Sequence, residues 1–250
     1  MLREKIRIDK VKVITKNDKQ MKKILWTTVF TTVFAFEHKS YAQTYYPDAG
    51  MWTTFSIEKE LSSRFSISAD EEFRLKENLT MLNLFYTNLG ITYKLSKRLK
   101  FTLTYRLTEK WKYQDQYFSF RNRLMFDVSY KYKFNDWIVS YRSRIQSEVR
   151  DINTSELGKI PEWYWRNKID IKYKIRQYIP FVGTEFPYQI TDPRNPESNF
   201  RWHRVRLYAG IDYEINQRNT FGIYYLLQRE FNIPEPEYLY IVGLQYTLTI

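Results

Sequence analysis

The chain has 250 residues, a formal net charge of +12, 18% aromatic residues including 22 tyrosines, and no cysteine. Thiol catalysis, disulfide frameworks and Cys-ligated metal sites are thereby excluded. A mean hydropathy of −0.58, with no apolar run long enough to cross a bilayer, excludes a helical membrane protein.

The first recognisable element is Met21-Lys22-Lys23, followed by the uncharged run Ile24 to Phe36 and then Ser40-Tyr41-Ala42-Gln43. Basic, apolar and small-residue regions in this order predict a secretory signal peptide over residues 21–42, cleaved after Ala42. Residues 1–20 then read as an extension upstream of the true start, and 43–250 as a single domain. Removing residues 1–42 discards ten Lys/Arg and four Asp/Glu, leaving 30 basic against 24 acidic residues. Basic balance often marks a nucleic-acid binder, but export removes that partner.

From about Met51 onward the chain alternates apolar and polar residues over ten to sixteen positions at a time, the period of half-buried strands. Leu99, Phe101, Leu103, Tyr105 and Leu107 oppose Lys100, Thr102, Thr104, Arg106 and Thr108. Between Phe118 and Phe134, Phe120, Leu124, Phe126, Val128 and Tyr130 oppose Arg121, Arg123, Asp127 and Ser129. The Asn135-Asp136 turn leads into a strand with Trp137, Val139, Tyr141 and Ile145 opposite Arg142, Arg144 and Glu148. Further tight turns are expected at Leu61 to Ser63, Ser96 to Arg98, Arg176-Gln177 and Asn216 to Asn219. Longer connections fall at Asp151 to Pro161 and Gln189 to Asn199.

Short turns alternating with long loops, strands too long for most globular sheets, and aromatic residues near strand ends (Trp137, Trp163, Trp165, Trp202 and Phe221) predict an all-β fold. It is a transmembrane antiparallel up-and-down β-barrel of 10 to 12 strands in the bacterial outer membrane. Eleven segments are visible. Because bacterial single-chain barrels have even strand numbers, the reading leans to twelve, with one strand hidden in Gln43 to Gly50.

Trp52 near the start, Glu72-x-Arg74, Tyr105-Arg106 and Glu185 in a proline-containing strand together resemble the outer-membrane barrel family called domain of unknown function 2490. The likeness runs from Trp52 to Ile250. It implies a barrel and a Bacteroidota-type source, and it implies no catalytic residue. The alternation of Tyr238, Tyr240, Val242, Leu244, Tyr246, Leu248 and Ile250 resembles the closing strand read by the barrel-assembly machinery, which is thereby an implied partner beside outer-membrane lipids.

In such a barrel the polar faces converge on the lumen. The basic set there is Arg106, Arg121, Arg123, Arg142, Arg144, Arg166, Arg204 and Arg206, with Arg74 in addition. Glu72, Glu148, Asp170, Glu185, Asp212 and Glu214 are its acidic partners, with Asp127 also on that face. Guanidinium forks suit phosphate, sulfate or carboxylate, so one reading is a narrow pore or a barrel that binds and passes a small anionic solute. A second is a structural barrel plugged by an internal salt-bridge network. A third is a lipid-modifying enzyme using His203, the only His after residue 42; parity sets it on the lipid face with Val205 and Leu207, near Ser198. No cofactor, metal or catalytic residue is predicted, and the acidic Asp151 to Glu156 loop lacks calcium-loop spacing.

Overall fold

The computed structural model describes residues 46–113, 116–150, 156–194, 201–233 and 236–250. The expected extension, signal peptide and cleavage site, Ser198, and all of the Asp151 to Glu156 loop except Glu156 lie outside these residues.

The first half of the chain forms strands β1 (Tyr46–Glu60), β2 (Phe65–Lys76), β3 (Met81–Lys94), β4 (Leu99–Lys112), β5 (Tyr117–Phe134) and β6 (Trp137–Arg150). A helical turn α1 (Glu156–Lys159) leads to β7 (Glu162–Tyr173), β8 (Tyr178–Thr191), the two-residue β9 (Arg201–Trp202), β10 (Arg204–Glu214), β11 (Asn219–Glu230) and β12 (Glu237–Thr249). Each strand pairs antiparallel with the next around the ring, β8 passing directly to β10, while β9 lies along the end of β8 outside the ring. The ring closes when β12 pairs with β1 in parallel, from Tyr46↔Glu237 to Glu58↔Thr249.

Eleven strands therefore make the wall, one for each visible segment. Residues 46–50 are the beginning of β1 and no separate twelfth wall strand. An odd run of up-and-down strands leaves its first and last members pointing the same way, so the closing ladder has to be parallel.

The short turns gather at one end. Three share a device: the Ser62, Ser96 and Asn216 side-chain oxygens each accept the backbone N–H groups two and three residues on, a local bond that fixes the turn. At the other end Asp48 accepts the N–H groups of Glu77 and Asn78 at 3.0 and 2.9 Å. It thereby holds a turn in which Glu77, Asn78 and Leu79 all have positive φ.

The distribution of residues is inverted relative to a water-soluble barrel. Phe55, Leu89, Phe120 and Leu124 are each more than half exposed on the outside, whereas Glu148 and Glu162 inside are fully buried. Polar groups on the outer face are matched across strands: Tyr141 donates to Asn167 Oδ1 at 2.6 Å, Tyr105 to Asn122 Oδ1, and Trp165 Nε1 to Ser143 Oγ at 2.8 Å. Such mutual satisfaction matters where water cannot replace a missing partner. Aromatic contacts ring both ends, Trp111–Phe118 and Tyr188–Trp202 at 4.9 Å at the long-loop end, and Trp137–Tyr173 at 4.7 Å and Tyr178–Tyr213 at 5.0 Å at the short-turn end. Twelve to fourteen residues at a rise of about 3.3 Å and a tilt of about 40° span roughly 30–35 Å, enough for an apolar band of about 25 Å with its flanking girdles.

Candidate functional site

Inside the barrel lies a chamber of about 690 Å³ reached by side chains from every ring strand, β1–β5 contributing from their long-loop halves. Ten arginines and four lysines line it, against seven carboxylates. The pairing follows from register. The two-residue Asn135-Asp136 turn sets Arg123 opposite Glu148 and Asp127 opposite Arg144 on β5 and β6. Both pairs close, Arg144 gripping Asp127 with Nε and Nη2 at 2.6 and 2.7 Å.

Two glutamates act as hubs. Glu148 accepts from Arg123 Nε at 2.6 Å and Arg150 Nε at 3.1 Å, with Arg121 Nη1 at 3.4 Å. Glu185 binds Arg166 closely, with Arg206 at 3.8 Å and Arg142 at 3.9 Å. Three cations thus share each carboxylate. Arg142 reaches an acid only at that 3.9 Å distance, and the buried Nε atoms of Arg121 and Arg142 have no hydrogen-bond partner among the described residues. Among the arginines lining the chamber, these two have the least committed donors.

Other cations lie on ring faces. Arg74 sits 3.7 Å above the Trp52 ring and bonds Glu72, while Arg106 sits 3.4 Å above Tyr86 and donates to Asn88 Oδ1 at 2.7 Å. Lys168 lies 4.9 Å from the Tyr208 ring and 3.4 Å from Asp170, and Lys172 lies 5.0 Å from Phe181 and 2.7 Å from Asp212. The aromatic quadrupole supplies negative potential where carboxylates are lacking. Of the residues carrying the family resemblance, Trp52, Glu72, Arg74, Arg106 and Glu185 belong to this interior system, while Tyr105 lies on the outer face.

The lumen is two-sided, which polar-face reading missed. From β1, β11 and β12, Trp52, Leu226 and Ile241 pack together with Tyr208, Tyr224 and Leu239 into a small apolar core inside the barrel. Glycines make the room: a Cβ on Gly243 would fall within 2.3 Å of three Tyr224 ring carbons, and one on Gly183 within 2.5 Å of the Tyr208 phenol. The signal was present in the sequence as runs apolar on both faces, Ile223 to Leu227 in β11 and Leu239 to Val242 in β12.

Of the expected lumen residues, all eight arginines line the chamber, as do Glu72, Glu148, Asp170 and Glu185. Asp212 lies below it, held by Lys172 and by Gln245 at 2.6 Å. Glu214 stays at the short-turn rim with Lys174. Arg204 closes onto Glu230, a carboxylate outside the expected set. Lys76, Lys110, Arg150, Lys168 and Lys172 complete the basic lining.

His203 corrects the parity reading. Between Tyr188↔Trp202 and Glu185↔Arg206 the β9–β10 segment carries one more residue than β8. This bulge turns His203 off the lipid face and into the lumen, where it is buried with its ring 5.8 Å from Tyr164. The side chain therefore does not stand at the outer surface, where the lipid-enzyme reading set it.

The family described as Protein of unknown function (DUF2490) matches residues 49–238. No curated protein matches by sequence. Among solved structures, one titled bacterial polysaccharide outer membrane secretin is similar at 8% identity with a TM-score of 0.46, over 74% of this chain and 73% of that one.

Proposed function

We propose that this chain, which belongs to the DUF2490 family, stands in the bacterial outer membrane as a barrel whose chamber binds a small anion and passes it along the lumen. One observation carries the anion preference: twice as many cations as carboxylates line a single enclosed chamber. In a confined space of low dielectric such an excess favours anions. Membrane placement rests on the apolar outer face, its internally matched polar groups and the aromatic girdles. Arrival there would follow the signal peptide of residues 21–42 and the barrel-assembly machinery, with outer-membrane lipids as the surrounding partner.

Arg121 and Arg142 are the groups to test, because Asp127 does not claim them as it does Arg144. In planar bilayers under a salt gradient, wild type is expected to give anion-selective reversal potentials. Arg121→Gln with Arg142→Gln should shift them toward zero without loss of folded protein. The apolar core at Trp52, Leu226 and Ile241 favours a second reading, a barrel plugged from within. Silence in the bilayer, together with no measurable phosphate binding by calorimetry, would replace the anion reading with that one.

A further inference from the structure

Four inward-facing positions near the long-loop end of β4 and β5 form one patch. Register sets Thr108 opposite Arg121 and Lys110 opposite Ser119, so these positions lie roughly 5 Å apart across the strands and about 7 Å apart along them. Thr108 and Ser119 are 5% and 1% exposed, and neither hydroxyl has a hydrogen-bond partner among the described residues. A buried hydroxyl without a partner is costly, and here two stand side by side.

The charges of the patch are unmatched as well. Arg121 reaches Glu148 only through Nη1, at 3.4 Å, and its buried Nε is unpaired. Lys110 forms no ion pair among the described residues; its strongest electrostatic neighbours are Arg121, Arg150 and Lys76, which repel it, followed by Glu237. The nearer carboxylates serve other cations, Glu148 binding Arg123 and Arg150, and Glu162 binding Arg150 and Arg194. One step deeper in the lumen the pattern stops, because Arg106 and Arg123 are held by Asn88 and Glu148.

We propose that this patch seats a doubly charged tetrahedral oxyanion: phosphate, a phosphate monoester or sulfate. The inference rests on the anion-binding reading above and names its ligand. Lys110, Arg121 and Thr108 line the chamber directly, and Lys110 Nζ, Arg121 Nε and the Thr108 hydroxyl donate to the anion's oxygens. Two uncommitted cations match two negative charges. Acceptors that point in several directions can meet an ammonium, a guanidinium edge and a hydroxyl from two strands at once. A planar carboxylate is satisfied by a single guanidinium fork and would leave Thr108 and Lys110 as they are.

Calorimetry on the protein in detergent, with inorganic phosphate, sulfate, glycerol phosphate and acetate as probes, tests the assignment. Acetate should bind at least about tenfold more weakly than the tightest of the others, and the order of phosphate, sulfate and glycerol phosphate identifies the free ion or the ester as the source. Thr108→Val and Lys110→Gln should each weaken phosphate binding at least about tenfold, the loss of one hydrogen bond to a charged group. Thr102→Val, inward on the same strand and paired with Thr92 at 2.8 Å, should leave it unchanged. Without added anion Thr108→Val should unfold no earlier than wild type, since the hydroxyl it removes has no partner, so its weaker binding cannot come from misfolding. Equal phosphate affinity in wild type, Thr108→Val and Lys110→Gln, or acetate bound as tightly as phosphate, overturns this site and leaves the anion reading standing. A wild type that binds none of the probes and shows no anion selectivity overturns both.

Discussion

On the wall built by β5–β8, with Arg206 reaching in from β10, arginines share carboxylates three to one across neighbouring strands. On the wall built by β10–β12 with β1, tyrosine rings lie on glycines and aliphatic side chains close the gaps. Both walls fill the interior of one barrel, but the first does so with groups that can exchange partners and the second with shapes that cannot. Rotating a guanidinium from one carboxylate to another costs little when several are within reach. Moving Tyr224 off Gly243 means rebuilding the packing. The charged wall can therefore respond to a solute, while the apolar wall holds the lumen to a fixed width.

The comparison breaks most severely at Gly243. A valine there would overlap the Tyr224 ring, and overpacking of this degree should cost at least about 3 kcal/mol. Gly243→Val is expected to lose the heat-modifiable gel shift of a folded barrel; a shift unchanged from wild type would show the apolar wall to be as adjustable as the charged one. Next in size is Glu148→Gln, which leaves Arg121, Arg123 and Arg150 without their common carboxylate. Removing one side of a buried ion pair costs about 3 kcal/mol, somewhat less here because the chamber admits water. Thermal unfolding in detergent should fall accordingly, and added phosphate should restore part of the loss, whereas it should do nothing for Gly243→Val. Smallest is Trp52→Phe at the junction of the two walls, where Arg74 and Arg206 lie 3.7 and 5.4 Å from the indole. A weaker quadrupole and lost ring volume should cost about 1–2 kcal/mol, read as a lowered unfolding temperature with anion selectivity retained.

Period-two alternation was enough to assign faces to Arg106, Arg121, Arg142 and the other interior arginines, because a strand has only two faces and one of them is mostly apolar. Register was legible too wherever a two-residue turn fixed it: Asn135-Asp136 dictates that Arg123 meets Glu148 and Asp127 meets Arg144. What alternation cannot carry is anything that interrupts it. The extra residue at His203 reverses parity locally and leaves no compositional mark, so the side chain reads as outward although it lies inside. Ring closure is equally silent, since the parallel meeting of β1 with β12 joins residues 191 positions apart. The apolar wall was visible in β11 and β12 but only as a blurred pattern, because both faces there are apolar. Cations held by rings, such as Arg106 over Tyr86, escape any count of charges.

The parallel seam between β1 and β12 also separates the two ends of the barrel chain. Tyr46 enters at the long-loop rim and Thr249 leaves at the short-turn rim. In a barrel with an even number of strands the two would emerge side by side, and a few residues could join them. Here a circular permutant would need a linker crossing the full wall, roughly 30 Å at about 3.3 Å per residue, and running either through the occupied lumen or along the apolar exterior. Reporters fused at these two points would sit on opposite sides of whatever the barrel spans.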